Sequence, residues 1–134
     1  MISHHDALIY TMVLVSAADS NMTDAELHSI GEAVLHLPVF GDFDRKHLPK
    51  VSQDCAKLLQ DGDGLDKAFK LIKTALPPKL RETAYALACD VAAADGKVSQ
   101  EETRMLELIR DRLEVGRLAA AAIERGARAR HTRL

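Results

Sequence analysis

Two pairs of acidic residues recur at the same spacing in two parts of the chain. Asp19 is followed seven residues later by Glu26, and 76 residues further along Asp95 is followed at the same interval by Glu102. In both places the sequence predicts a helix that ends near the aspartate, a short turn, and a second helix with the glutamate in its first turn. Clustered carboxylates are the ligands that hard divalent cations prefer. The two corners are therefore candidate metal sites.

The second corner resembles half of a calcium-binding loop. Residues 95–102 read Asp-Gly-Lys-Val-Ser-Gln-Glu-Glu, with an aspartate, a turning glycine, an apolar residue and a final glutamate. The first half of such a loop would place ligands at Val91 and Ala93, whose side chains cannot coordinate, so an EF-hand is excluded. The first corner has Ser20 in place of the glycine, which weakens its match. Calcium or magnesium suits such ligands better than zinc.

Helix capping is a competing explanation for the glutamates. Both Thr23 to Glu26 and Ser99 to Glu102 fit the capping box, in which an N-cap hydroxyl is answered by a glutamate three residues later. The aspartates need another explanation, because a carboxylate is unfavourable at a helix C-terminus. At about 5 Å an aspartate and a glutamate repel each other by about 3 kcal/mol at an effective dielectric of about 20. A bound cation or a nearby lysine or arginine would remove that repulsion.

Asp90 is a further candidate ligand. It interrupts a helix of small and apolar residues, where an unpaired buried carboxylate would be costly. Its register partner in the first copy is Leu14, so it belongs to one copy only. A salt bridge to a neighbouring helix is the alternative.

The corners belong to a longer internal repeat, and such self-similarity indicates the architecture. The two copies cover about residues 5–36 and 81–113, and no segment shows the period-two alternation of strands. The sequence predicts one all-α domain over residues 1–134, a compact bundle of about seven helices with a twofold internal repeat. Small residues at 16–18 and 84–94 predict that the copies pack together. The corners would then form either one four-carboxylate site or two separate pairs.

The predicted helices cover about residues 3–18, 23–36 and 45–59, then a helix ending near 76, one from Pro77-Pro78 to about 94, and two at 99–113 and about 115–129. The first is apolar along most of its length, which predicts burial on most sides. In a metal-free alternative, that helix contributes to a homodimer interface.

Composition narrows the function classes. Charged residues make up 28% of the chain and apolar residues 47%, which is typical of a soluble globular protein. Four arginines after position 124 leave the rest of the chain with a net charge of −6, and aromatics are only 4%, so no nucleic-acid partner is expected. Two distant cysteines and the absence of a signal peptide favour the cytoplasm. No catalytic signature is present, so we expect a protein that is not an enzyme.

Three segments resemble the bacterial tellurite-resistance TerB family: the motif around residues 17–26, Ala-Leu-Pro-Pro-Lys-Leu-Arg-Glu-Thr-Ala-Tyr-Ala-Leu-Ala at 75–88, and Val-Ala-Ala-Ala-Asp-Gly-Lys-Val-Ser-Gln-Glu-Glu at 91–102. The resemblance implies an all-helical domain whose acidic residues bind a divalent cation. It maps those ligands onto Asp19, Glu26, Asp95 and Glu102, with Asp90 as an addition.

The same resemblance implies a role without catalysis in resistance to tellurite and other chemical stress. It also implies protein partners in that system, including a membrane protein at the cytoplasmic face of the inner membrane. The alternative is a metal-free interaction or homodimerisation module whose acidic residues only cap helices.

Overall fold

The protein is a bundle of seven α-helices without a strand, as described by a computed structural model that covers residues 1–134. The all-α prediction is confirmed. The helices are α1 His4–Ala17, α2 Asp24–His36, α3 Leu48–Leu59, α4 Gly64–Ala75, α5 Arg81–Ala93, α6 Gln100–Arg112 and α7 Arg117–His131. Short 3₁₀ turns at Pro38–Phe40, Arg45–His47 and Pro78–Leu80 connect them. None of these helices has the length and hydropathy that crossing a lipid bilayer requires.

Helix α1 is the central element of the bundle. Eleven of its 14 residues are buried, and it packs against α3, α4, α5 and α6 as well as α2. Its apolar residues are therefore enclosed by the chain's own core, which explains why they do not form a single stripe. The expected contribution of this helix to a homodimer interface has no exposed apolar surface to support it.

The two predicted repeat copies meet where α1 packs on α5. The small side chains of Ala84, Ala88 and Ala92 are almost completely buried there, so the two backbones approach closely. The corners that follow α1 and α5 lie at the same end of the bundle, because Glu102 of the second corner is adjacent to Glu26 and near Asp19 of the first. A twofold relation between the complete copies stays a prediction.

Helices α3, α4 and α7 complete the core around this pair. The turn between α3 and α4 requires a glycine, because a Cβ on Gly64 would lie 2.0 Å from the carbonyl oxygen of Leu58. Helix α7 packs on α5 through the buried Ala120 and Ala127. Helix α7 continues to His131, and Arg130 near its end forms an ion pair with Asp90 of α5.

Candidate functional site

The two corners have the same backbone conformation. The residue after each aspartate has a positive φ, 60° at Ser20 and 82° at Gly96. Each of these residues also donates its N–H to the carbonyl three residues earlier, at 3.2 Å and 3.1 Å. Glycine adopts this left-handed conformation without a steric penalty, whereas serine does not. The first corner therefore reaches the same turn at a higher conformational cost.

Each aspartate accepts a hydrogen bond from the turn that follows it. Asp19 Oδ1 accepts the N–H of Asn21 at 3.0 Å, and Asp95 Oδ1 accepts the N–H of Lys97 at 3.0 Å. Both aspartates are half-buried. These Asx turns explain how a carboxylate is tolerated just past a helix end.

Each glutamate completes a capping box, as the sequence predicted. Glu26 Oε1 accepts the N–H of Thr23 at 3.2 Å, and Thr23 Oγ1 accepts the N–H of Glu26 at 3.1 Å. Ser99 and Glu102 make the same two hydrogen bonds, both at 3.1 Å. Glu26 therefore helps to cap α2, and Glu102 helps to cap α6.

Capping does not account for the burial of the two glutamates. Glu26 is 1% exposed and Glu102 is 2% exposed, and their carboxyl groups are close enough to share a hydrogen bond when one is protonated. Burial, the hydrogen bond with the adjacent Glu26, and the charges of Glu26 and Asp19 together raise the pKa of Glu102 to about 8, although the hydrogen bond from the Ser99 N–H lowers it. The structure thus encloses two carboxyl groups that cannot both be ionised at low cost.

The two copies differ in the hydrogen bonds that the carboxylate of the buried glutamate accepts. The Ser16 hydroxyl donates to Glu26 Oε1 at 3.2 Å within the core. Ala92 occupies the equivalent position in the second copy and has no hydroxyl. Glu102 Oε2 is buried and has no hydrogen-bond partner. A proton shared with Glu26 or a bound cation would each supply that missing partner.

The carboxylate oxygens at the two corners are suitable ligands for a hard divalent cation, but they do not surround a single position that an ion could occupy. Two buried carboxylates and the nearby Asp19 provide only oxygen ligands, as calcium and magnesium prefer. No three histidine, cysteine or acidic side chains converge closely enough to enclose an ion. Asp19 and Asp95 would therefore have to turn from their Asx turns toward the glutamates to complete the coordination.

Asp90 lies outside this arrangement. Its Oδ1 accepts a hydrogen bond from Arg130 Nη2 at 2.6 Å and lies 3.4 Å from His131 Nε2. The salt-bridge alternative thus accounts for this carboxylate, and α7 provides its counter-charge. As placed, Asp90 does not join the two glutamates.

Ser16 is the site residue that the sequence reasoning did not single out. Its signal is a hydroxyl within the apolar stretch of residues 12–18, at a position where the second copy has Ala92. The contact between Glu26 and Glu102 was also not specified. The sequence placed each glutamate opposite its own aspartate, whereas the structure places the glutamates against each other.

Comparison with known protein families gives one match. The family model described as tellurite resistance protein TerB matches residues 5–125. No curated protein and no solved structure matches the chain.

Proposed function

Because the chain belongs to the TerB family of tellurite resistance proteins, which is generally a non-catalytic domain, we propose that it is a non-enzymatic module that binds a divalent cation at its paired corners. Its role lies in resistance to tellurite and related chemical stress. It acts there by presenting a surface to protein partners.

The observation that carries this proposal is the buried glutamate pair. Two carboxyl groups in contact, both nearly inaccessible to solvent, are costly unless a proton or a cation neutralises one charge. Glu102 Oε2 is buried without a hydrogen-bond partner, so it is a carboxylate oxygen that a cation could use. A cap on a helix N-terminus needs neither burial nor a second carboxylate.

Glu26 and Glu102 would be the inner ligands, and Asp19 and Asp95 would complete the set. A bound calcium or magnesium ion supplies the positive charge that ties the start of α2 to the start of α6. The chain's own residues fix where this happens: the Ser16 hydroxyl orients the Glu26 carboxylate, and the backbone N–H groups of Thr23 and Ser99 donate to the two carboxylates.

Exposed apolar side chains at the corners support action through partners. Met22 and Val98 occupy equivalent positions in the two turns and are 43% and 48% exposed, and Leu27 on α2 is 47% exposed. An ion that draws the aspartates inward would move the turns that carry Met22 and Val98. The family's association with a membrane protein at the cytoplasmic face gives a setting for such a partner surface.

Thermal melting of chelator-stripped protein tests the proposal. Titration with calcium, magnesium, manganese and zinc should raise the melting temperature saturably for the preferred ion, since a ligand at 100 times its dissociation constant adds about 2.7 kcal/mol. The Asp19→Ala/Asp95→Ala variant should fold but lose that rise. Asp24→Ala is the matched control, because Asp24 is exposed near the same corner.

A metal-free interaction module is the second candidate. Its support is that both capping boxes are complete and that a shared proton satisfies the glutamate pair without an ion. Flat melting curves in all four metals would favour this candidate.

A further inference from the structure

A groove of about 510 Å³ lies between α5, the start of α6 and the end of α7. Its volume falls within the range of about 300–1,000 Å³ typical of small-molecule sites. The floor is formed by small and apolar side chains: Cys89, Ala92, Ala93 and Leu106. Neither Glu26 nor Glu102 lines it, so the groove is distinct from the carboxylate pair.

The rim of the groove is cationic. Arg128 on α7 and Arg133 just after it line the groove. Neither forms an ion pair, whereas Arg130 is paired with Asp90. The one acidic residue in the lining, Glu124, already accepts a hydrogen bond from the Tyr85 hydroxyl and faces Arg110 at 3.7 Å. The groove therefore combines an apolar floor with two uncompensated guanidinium groups.

The residues that make the rim cationic lie beyond the family match. That match ends at residue 125, and both arginines follow it, together with His131 and Thr132 of the lining. This charge pattern is therefore not explained by the proposed role of the acidic corners. It is a feature of this chain's own C-terminal segment.

We propose that this groove binds a small amphipathic anion, a medium-chain carboxylate, with its hydrocarbon chain on the floor and its carboxylate at Arg128 and Arg133. Guanidinium groups recognise carboxylates through paired hydrogen bonds. The apolar floor buries the hydrocarbon chain of the ligand, a contribution to binding that an anion without such a chain would not make. A carboxylate with a chain should accordingly bind better than either part alone.

Calorimetric titration of the full chain with decanoate, below the concentration of micelle formation, tests the proposal. Saturable binding of one decanoate is expected, with no binding of acetate, which lacks the chain, and much weaker binding of decanol, which lacks the charge. Arg128→Gln/Arg133→Gln should weaken decanoate binding by about tenfold or more.

Arg117→Gln/Arg125→Gln is the matched control, since it removes the same charge from α7 outside the groove. It should leave the affinity within about twofold. Thr103→Glu places a carboxylate in the groove lining and should also weaken binding, because it repels the carboxylate of decanoate. Equal affinity for decanol, equal loss in the control variant, or the absence of saturable binding would each overturn the proposal.

Discussion

The pH dependence of stability should change when Glu102 is replaced by glutamine. In the wild-type protein Glu102 keeps its proton to about pH 8 in the folded state, against an ordinary value of 4.5. Between these two values the folded chain binds a proton that the unfolded chain does not. The free energy of unfolding therefore falls as the pH rises, by up to about 1.4 kcal/mol per pH unit. Glutamine cannot ionise, yet its amide oxygen can accept the Ser99 N–H and its amide group can donate to Glu26.

Between pH 6 and pH 8 the ionisation of Glu102 should lower the free energy of unfolding of the wild-type protein by about 2 kcal/mol. For a chain of this size that loss is a fall of about 5 to 10 °C in melting temperature. The Glu102→Gln variant should lack this part of the decline, so the difference between the two proteins should grow in favour of the variant as the pH rises.

Urea unfolding at several pH values in the presence of a chelator measures the effect. Taking the difference between wild-type and variant removes the contribution of the six histidines, which titrate in the same range. Glu101→Gln is the matched control, because Glu101 is exposed and adjacent in sequence, and it should keep the wild-type slope. Parallel curves for wild-type and Glu102→Gln would refute the shared-proton reasoning.

Four further substitutions probe the corners and the fold, and their effects are measured as shifts of the urea unfolding midpoint. Ser20→Gly should stabilise the protein by about 1 kcal/mol, and Gly96→Ala should destabilise it by about 1 kcal/mol. The reason is the positive φ at both positions, which favours glycine. Effects of the same sign for the two substitutions would contradict this. Ser16→Ala should cost about 1 kcal/mol through the lost hydrogen bond to Glu26, and no loss would show that the hydroxyl is not needed. Gly64→Ala should destabilise by about 3 kcal/mol or more, since its Cβ would meet the backbone of α3; a neutral effect would refute the tight turn.

Most of the helical framework is predictable from local signals. Thr23 and Ser99 mark the starts of α2 and α6. Pro77-Pro78 precedes α5, although a 3₁₀ turn at Pro78–Leu80 delays the α-helix to Arg81. Capping and proline geometry act over a few residues, so the sequence alone determines them.

The arrangement of the candidate site depended on contacts that a single sequence does not specify. The repeat predicted that the corners would be close, but not that Glu26 would face Glu102 while the aspartates accept hydrogen bonds from their own turns. The partner of Asp90 lies 40 residues away on α7. Side-chain pairing of this kind is set by helix packing, which local patterns constrain only weakly.

Calorimetric titration of chelator-stripped protein with calcium and magnesium at pH 8 shows whether the glutamate pair binds a cation, when wild-type and Glu102→Gln are compared. We expect saturable binding to the wild-type protein that weakens as the pH is lowered below about 8, because protons compete for the same carboxylates. The variant should lose that binding while keeping its fold, and Glu101→Gln should retain it. Absence of binding to the wild-type protein, or equal binding to Glu102→Gln, would contradict a metal centre at the glutamate pair.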